Sequence, residues 1–396
     1  MTIVQEWNWK KTAKHVVVVF VIFCVLVTTL VGGVVLANVD NLGRLVRVVQ
    51  LIHSDYLEKV STDKLVDGAI RGIVDSLGDP YSVYMNAQEN QELFQVLDGK
   101  FGGIGIVLSL KDPKKLVVLR PIKNSPASRA GIQAGDVITK INNLDVSGMT
   151  QDKAVSLMRG DPGTNVTLTL YRESTKKTYT VNLTREDINV PTVEGETLPG
   201  HPNIAYIDIS QFSTDTGDEL KSTLSSMSIK KYKGLILDLR YNHGGELNAA
   251  VQVASYFIPS GPVVYIVDNK GNVDTKMSTG TYLGMPMVVL VNEESASASE
   301  IVAGAIKDDK TATLVGVKTF GKGIVQTIFP LDSGTSVKLT TAKYLTPDKV
   351  SINKIGIEPN VKVELKKGQQ ATIFPQDTDF DSQLQKAVQV LQAKMK

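Results

Sequence analysis

Between Val16 and Ala37 the chain runs for 22 residues without a charge. A stretch of about 20 apolar residues crosses the hydrocarbon core of a bilayer as one helix. Lys10, Lys11 and Lys14 precede the run, with Trp7 and Trp9 among them. The lysines hold a short stub, 1–15, in the cytoplasm, and the tryptophans suit the interface. We therefore expect an uncleaved anchor over 16–37. The competing reading is a cleaved signal peptide ending at Val35-Leu36-Ala37, but the run exceeds the about 7–15 residues usual for one. Either way, everything after about residue 38 lies outside the cytosol.

The rest of the chain is too long for one core: 396 residues suggest two or three domains. Its 21% charged residues are a globular value, and a net charge of +2 gives no reason to expect nucleic acid. The one cysteine, Cys24, sits inside the apolar run. No disulfide, cysteine-rich zinc site or cysteine nucleophile is therefore available outside it.

Leu42 to about Leu97 has a helical pattern. Thr62 is placed to cap a helix whose Leu65, Ile70, Ile73, Val74 and Leu77 share a face, and Gly78-Asp79-Pro80 ends it. We read 38–98 as a helical scaffold. From Phe101 the texture turns to short strands with Gly/Pro punctuation. FGGIGIVLSL, LVVLRPI, SPASRAGIQAGDVITKINN, DKAVSLMRG and TNVTLTLYR follow in an order that resembles a PDZ domain, over 99–185. The resemblance makes Gly103, Ile104, Gly105 and Ile106 a carboxylate-binding loop, since glycines let successive N–H groups converge on one anion. The strand Ile106–Leu110 would accept a peptide by strand addition.

From Pro202 onward strands alternate with helices. IAYIDIS, GLILDLR, VVYIV and MVVLV read as buried strands, with helices near 216–228, 247–257 and 298–307. We expect an α/β core of βα units around a mixed sheet over 186–370. A last segment, 371–396, ends in a helix that puts Leu384, Ala387, Val388 and Leu391 on one face, to pack on the core or on the N-terminal helices. The whole is a multi-domain α/β protein.

The chemistry concentrates in VNEESASASEIVAGA, Val291 to Ala305, where three serines occupy a strand-to-helix turn. Ser297 and Glu300 fit a capping box. A helix N-terminus is also an oxyanion site, because its free N–H groups carry partial positive charge. Cap and nucleophile are thus compatible, and the base decides. Of the four histidines only His243, in DLRYNHGGEL, stands near other informative residues. The alternative is Lys322 in TFGKGIVQ. A lysine base must be neutral, so its pKa of about 10.4 has to fall by about three units, roughly 4 kcal/mol. Burial produces shifts of that size, and Phe320, Ile324 and Val325 offer apolar cover. Gln326, four residues on, shares a face with Lys322.

SASASEI followed by TFGKGIVQ, with DLRYNHGG upstream and the PDZ-like stretch before both, resembles the C-terminal processing (tail-specific) serine protease family, over about 45–365. The resemblance implies Ser297 as nucleophile, 25 residues before the general base Lys322, with Gln326 orienting the lysine. It implies that the N–H of Ala298 and of a glycine in Gly244-Gly245 bind the oxyanion. Ser295 and Ser299 become structural, and Glu300 either tunes the site or caps the helix. The chain departs from the family at His243, where proline is usual, and over Tyr344–Asn360, which is less regular than the Gly-rich family version.

The sequence also offers two rival readings. Gly316 to Lys322 matches G-x-x-x-x-G-K of a phosphate loop, but Gly323 replaces the magnesium-binding Ser/Thr, and the strand-end Asp238 comes before the loop. Asp238 and Arg240 are better read as an internal ion pair. The other rival is an inert anchored PDZ scaffold, which would not need serine, lysine and glutamine at this spacing. We expect an anchored, extracytoplasmic serine endopeptidase whose PDZ domain takes protein or peptide substrates by free apolar C-termini. Arg159 is the candidate for coupling PDZ domain to core. No metal and no cofactor is expected, since there is no HExxH or His/Cys cluster. A homodimer through the helical ends and a regulatory or adaptor protein are the further partners envisaged, and no nucleic acid.

Overall fold

A computed structural model describes residues 41–108, 115–122, 124–366 and 381–395. The expected anchor at 16–37 lies outside these residues. Among those described, no helix is long and apolar enough to cross a membrane. The chain forms two compact units, one ending at Gly78 and one beginning at Asp79.

In the first unit residues 41–55 are helical, followed by α1 (Thr62–Asp75). The cap of α1 is Ser61, not Thr62: the Ser61 side chain accepts from the Lys64 N–H at 3.3 Å. Both residues are good caps, and the extended φ/ψ needed for capping falls on the serine.

The second unit opens with a strand where helix was expected. β1 (Val83–Met85) pairs antiparallel with β18 (Ser336–Leu345), and α2 (Ala87–Asp98) follows. Asn86 and Glu89 close a reciprocal capping box on α2, and Gly99 ends it in the left-handed conformation. β2 (Lys100–Gly103) leads into an antiparallel sheet ordered β3-β4-β5-β7-β8. Its strands are β3 (Ile106–Leu108), β4 (Leu116–Pro121), β5 (Val137–Ile141), β7 (Asn165–Arg172) and β8 (Lys177–Thr184), with the short β6 (Leu144–Asp145) on β5. The one-turn α3 (Pro126–Arg129) and the longer α4 (Gln151–Met158) accompany it. Ile138, Ile141, Leu168 and Leu170 form the core of this body. β9 (Glu186–Asn189) returns the chain to pair with β2.

The last body is a sheet ordered β10-β11-β12-β15-β16-β19. β10 (Val193–Thr197) is antiparallel to β11 (Ile204–Ile209). β11, β12 (Gly234–Asp238), β15 (Met287–Val291), β16 (Thr313–Gly316) and β19 (Val361–Lys362) run parallel. These strands are apolar on both faces because helices cover both. Leu235, Leu237, Val289 and Val291 face α5 (Thr216–Ser226), α6 (Leu247–Ser255) and α7 (Ala298–Asp308). Ile236, Val288, Leu290 and Val315 alternate to the other face. There α8 (Ser382–Lys394) packs through Leu384, Ala387, Val388 and Leu391. The C-terminal helix therefore lies on the core sheet.

The expected Asp238–Arg240 pair is present and fully buried, with Arg240 Nη2 2.6 Å from Asp238 Oδ2. Arg240 also donates to Asp381 Oδ2 at 2.7 Å, and Asp381 caps α8. A second sheet, ordered β1-β18-β13-β14, joins β13 (Pro262–Asp268) and β14 (Val273–Met277) to β18, which also pairs with β17 (Ile324–Pro330). It brings β1, β17 and β18 together beside the parallel strand ends.

Candidate active site

In an open α/β sheet, ligands bind beyond the carboxyl ends of the parallel strands. The loops leaving β11, β12, β15 and β16 meet there around a cavity of about 550 Å³. Ser297, Lys322, Gln326, Gly244, Gly245 and His243 all line it. Residues up to 83 positions apart thus share one space, and their roles are distinguished by their contacts.

The neighbouring serine hydroxyls are committed to the scaffold. Ser295 Oγ donates to the Leu239 carbonyl at 2.8 Å, and Ser299 Oγ donates to the Asn242 carbonyl at 2.8 Å. Both pin the turn after β15 to the turn after β12. Ser297 faces the cavity instead. Its backbone has φ 53° and ψ −112°, a region a side chain adopts only when its surroundings impose it.

The imposing group is Glu300, fully buried in the first turn of α7. Its Oε2 accepts the Ser297 N–H at 3.0 Å, which is the carboxylate arm of the expected capping box, and the Lys322 N–H at 2.8 Å. Its Oε1 accepts Thr319 Oγ1 at 2.6 Å and the Gly321 N–H at 2.8 Å. One carboxylate therefore fixes the backbone of both Ser297 and Lys322. The spacing of S-x-x-E showed the cap, but nothing in the sequence showed that the lysine loop folds onto the same group.

Lys322 is half-buried, and its ammonium stands 4.7 Å from the centre of the Tyr81 ring. Burial pushes its pKa down and the Lys338 ammonium adds to the effect, while the Asp79 carboxylate opposes it. Asp79 is held below the usual carboxylate range chiefly by the hydroxyl of Ser82, at 2.6 Å. Lys338 lines the same cavity. Asp79 reads only as part of a helix stop and Tyr344 only as the start of an irregular segment, while Tyr81 and Lys338 draw no reading of their own, so sequence reasoning assigns none of the four to the site. Gln326 turns its amide to Thr340 Oγ1 at 3.4 Å in this state.

Of the two candidate oxyanion glycines, Gly244 already donates its N–H to Asn242 Oδ1 at 2.8 Å. Among the described residues, the N–H groups of Gly245 and Ala298 meet no protein acceptor. Gly244, at φ 97°, must be glycine, because a Cβ there would stand 2.7 Å from the Ala296 carbonyl oxygen and 2.8 Å from Ser297 Cβ. His243 is exposed at the rim, with Nε2 2.8 Å from Glu294 Oε2.

Gly103, Ile104, Gly105 and Ile106 line a separate groove of about 310 Å³. The Ile104 carbonyl accepts from the Ala127 N–H and the Gly105 carbonyl from the Ile122 N–H, both at 2.9 Å. Because N–H and C=O point oppositely across a planar peptide, the N–H groups of Gly105 and Ile106 are turned to the other side. β3 is the edge strand of its sheet, and Val155 and Met158 of α4 form the facing wall. Arg159, just after α4, lies over the Phe101 ring at 4.4 Å. It lines both this groove and a cavity of about 740 Å³, which shares Val96, Ser210 and Gln211 with the cavity at Ser297. Among the described residues no group of three or more His, Cys, Asp or Glu side chains comes together as a metal site would require.

Residues 203–363 match peptidase family S41, residues 117–172 a PDZ domain, and residues 32–89 the N-terminal domain of the activating protease CtpB. A probable CtpA-like serine protease of Staphylococcus epidermidis is 38% identical over 367 residues, spanning 92% of this chain and 74% of that protein. The carboxy-terminal processing protease CtpA of Bacillus subtilis is 42% identical over 316 residues, spanning 79% of this chain and 67% of that protein. The crystal structure of a putative S41 protease from Bacteroides fragilis superposes with a TM-score of 0.55 over 86% of this chain and 92% of that one; at 17% identity the likeness is one of fold.

Proposed function

The chain belongs to peptidase family S41, as a serine protease of the C-terminal processing type with a PDZ domain, and from that premise we propose that Ser297 and Lys322 are its catalytic dyad. The observation that carries the reading is the Glu300 carboxylate, bonded to the N–H of both residues while both line one cavity. Burial moves the pKa of Lys322 downward, the direction a lysine base requires.

In this reaction the Lys322 amine takes the proton of Ser297 Oγ as Oγ attacks the scissile carbonyl. The developing oxyanion is received by the N–H groups of Ala298 and Gly245, each donor worth about 3 kcal/mol. Collapse passes the proton from Lys322 to the leaving amine and leaves an acyl-enzyme. Water then attacks the ester, giving its proton to Lys322, which returns it to Ser297 Oγ as the ester bond breaks. Gln326 orients the amine once its amide leaves Thr340.

The PDZ groove takes the substrate's free C-terminus: its edge strand accepts the tail, and the N–H groups of Gly105 and Ile106 receive the carboxylate. The cavity of about 740 Å³ shares Arg159 with the PDZ groove and Val96, Ser210 and Gln211 with the cavity at Ser297, which supports a route for the tail past Arg159 toward Ser297. The 16–37 run supports anchoring, with the protease outside the cytosol.

The full-length chain in detergent, given an unfolded reporter with an apolar C-terminus, tests the dyad. Ser297→Ala and Lys322→Ala should abolish cleavage, and His243→Ala should not. Survival of Lys322→Ala with loss in His243→Ala would make His243 the base and end the lysine reading.

A further inference from the structure

Tyr344 is 6% exposed, yet it lines the cavity with Ser297 and Lys322. It sits near the end of β18, paired with Ile266 of β13. Its N–H donates to the Gly323 carbonyl at 2.9 Å, which ties its backbone to the lysine loop. Its phenol is near enough to the Ser297 side chain for the serine to lower the phenol's pKa, against the larger opposite effect of burial. The residue thus stands between the two halves of the site, its backbone bonded to the lysine loop and its side chain lining the cavity that Ser297 faces.

We propose that the Tyr344 hydroxyl is a third member of the catalytic machinery, one that orients Ser297 Oγ for attack. This rests on the dyad reading above. Burial raises the phenol's pKa, so Tyr344 keeps its proton and is a hydrogen-bond partner rather than a second base. The proton leaving Ser297 still goes to Lys322, and Tyr344 loses and gains none. A phenol suits the position because its ring fills buried space while one polar atom reaches the nucleophile. A hydroxyl so placed restricts the rotamer of Oγ on a backbone already fixed by Glu300, and positioning of this kind acts on kcat more than on KM.

Tyr344→Phe removes the hydroxyl and keeps the ring. The full-length enzyme should lose about 10–100-fold in kcat, with KM within about twofold and thermal stability nearly unchanged. Labelling of Ser297 by a fluorophosphonate should slow by the same factor as kcat, since both reactions begin with Oγ. Unchanged kcat, or slowed cleavage with unchanged labelling, would overturn the proposal. If Tyr344→Phe fails to fold, 3-fluorotyrosine at position 344 keeps both ring and hydroxyl. It should change the labelling rate and its pH profile, and no change would overturn the proposal equally. Ser297→Ala, run beside these, separates the two readings: residual cleavage there defeats the dyad whatever Tyr344 does.

Discussion

Glu300→Gln is the substitution that most directly tests how the site is held. The carboxylate takes four donors, two on each oxygen. An amide of the same shape accepts through one oxygen only. If Nε2 replaces Oε2, it faces the N–H groups of Ser297 and Lys322, and both lose their acceptor. If Nε2 replaces Oε1, it faces Gly321 N–H and Thr319; the threonine hydroxyl can turn, but the Gly321 N–H cannot. The second arrangement is cheaper. It leaves one buried N–H unsatisfied, costing about 1–3 kcal/mol, and weakens two bonds that had been charge-assisted by about 1 kcal/mol each. The sum is roughly 3–5 kcal/mol, placed where the strained Ser297 backbone is held. We expect the unfolding midpoint of the core to fall by at least about 5 °C and kcat by more than tenfold. Thermal unfolding followed by circular dichroism, with cleavage of the reporter at a temperature where both proteins are folded, reads the two effects separately. A Glu300→Gln enzyme that melts within 1 °C of wild type and cleaves at the wild-type rate would refute the four-donor account.

Four further substitutions probe charge and route. Because Lys338 lowers and Asp79 raises the pKa of Lys322, Lys338→Met should move the rising limb of kcat/KM against pH to higher pH, and Asp79→Asn should move it lower. Limbs that do not move would show that neither charge is felt at the base. Asp208 is buried, one carboxylate oxygen lacks a partner, and burial with the charges of Asp238 and Glu194, opposed by Arg240, pushes its pKa from 3.8 up to about 8. The folded chain then holds a proton the unfolded chain has lost, so stability falls as pH rises from about 4 to about 8, with a ceiling of roughly 5 kcal/mol. Asp208→Asn should accordingly gain thermal stability over wild type toward pH 8 and little near pH 4; parallel melting curves across that range would count against the protonated acid. Arg159→Ala should slow cleavage of long tails and leave the fold and the hydrolysis of short peptides intact, and equal rates on long tails would remove Arg159 from the route.

What could be read in advance was whatever depends on neighbours in sequence. The strands at Met287–Val291 and Gly234–Asp238 announced themselves as unbroken apolar runs, and α7 by its capping pair. The site was legible as motifs, because the turns after β12, β15 and β16 each carry their chemistry within a few residues. What escaped was contact between elements far apart in the chain. Tyr81 and Asp79 sit over two hundred residues before Lys322, and only the β1–β18 pairing carries them to it. Tyr344 stands in the sequence only as the start of the irregular segment Tyr344–Asn360, and it is the fold of β18 that puts it beside Gly323. β1 itself was missed because three residues are too few to show a period of two against the helical pattern on either side.

The same contacts say where this site can change state at least cost. Ser297 stores about 1–3 kcal/mol in its backbone, and the Glu300 bonds that hold it also hold Lys322, so the two residues belong to one frame and not to two independent loops. Moving that frame forfeits several kcal/mol at once. Moving the side chains costs far less: the contact of the Lys322 ammonium with the Tyr81 ring is worth about 0.5–2 kcal/mol, and the Gln326–Thr340 bond is long at 3.4 Å. Lys322 and Gln326 are each engaged elsewhere in this state, on a ring from the β1 segment and on β18. On the dyad proposed above, a resting enzyme and a working one can therefore differ by side-chain rotations on a fixed backbone.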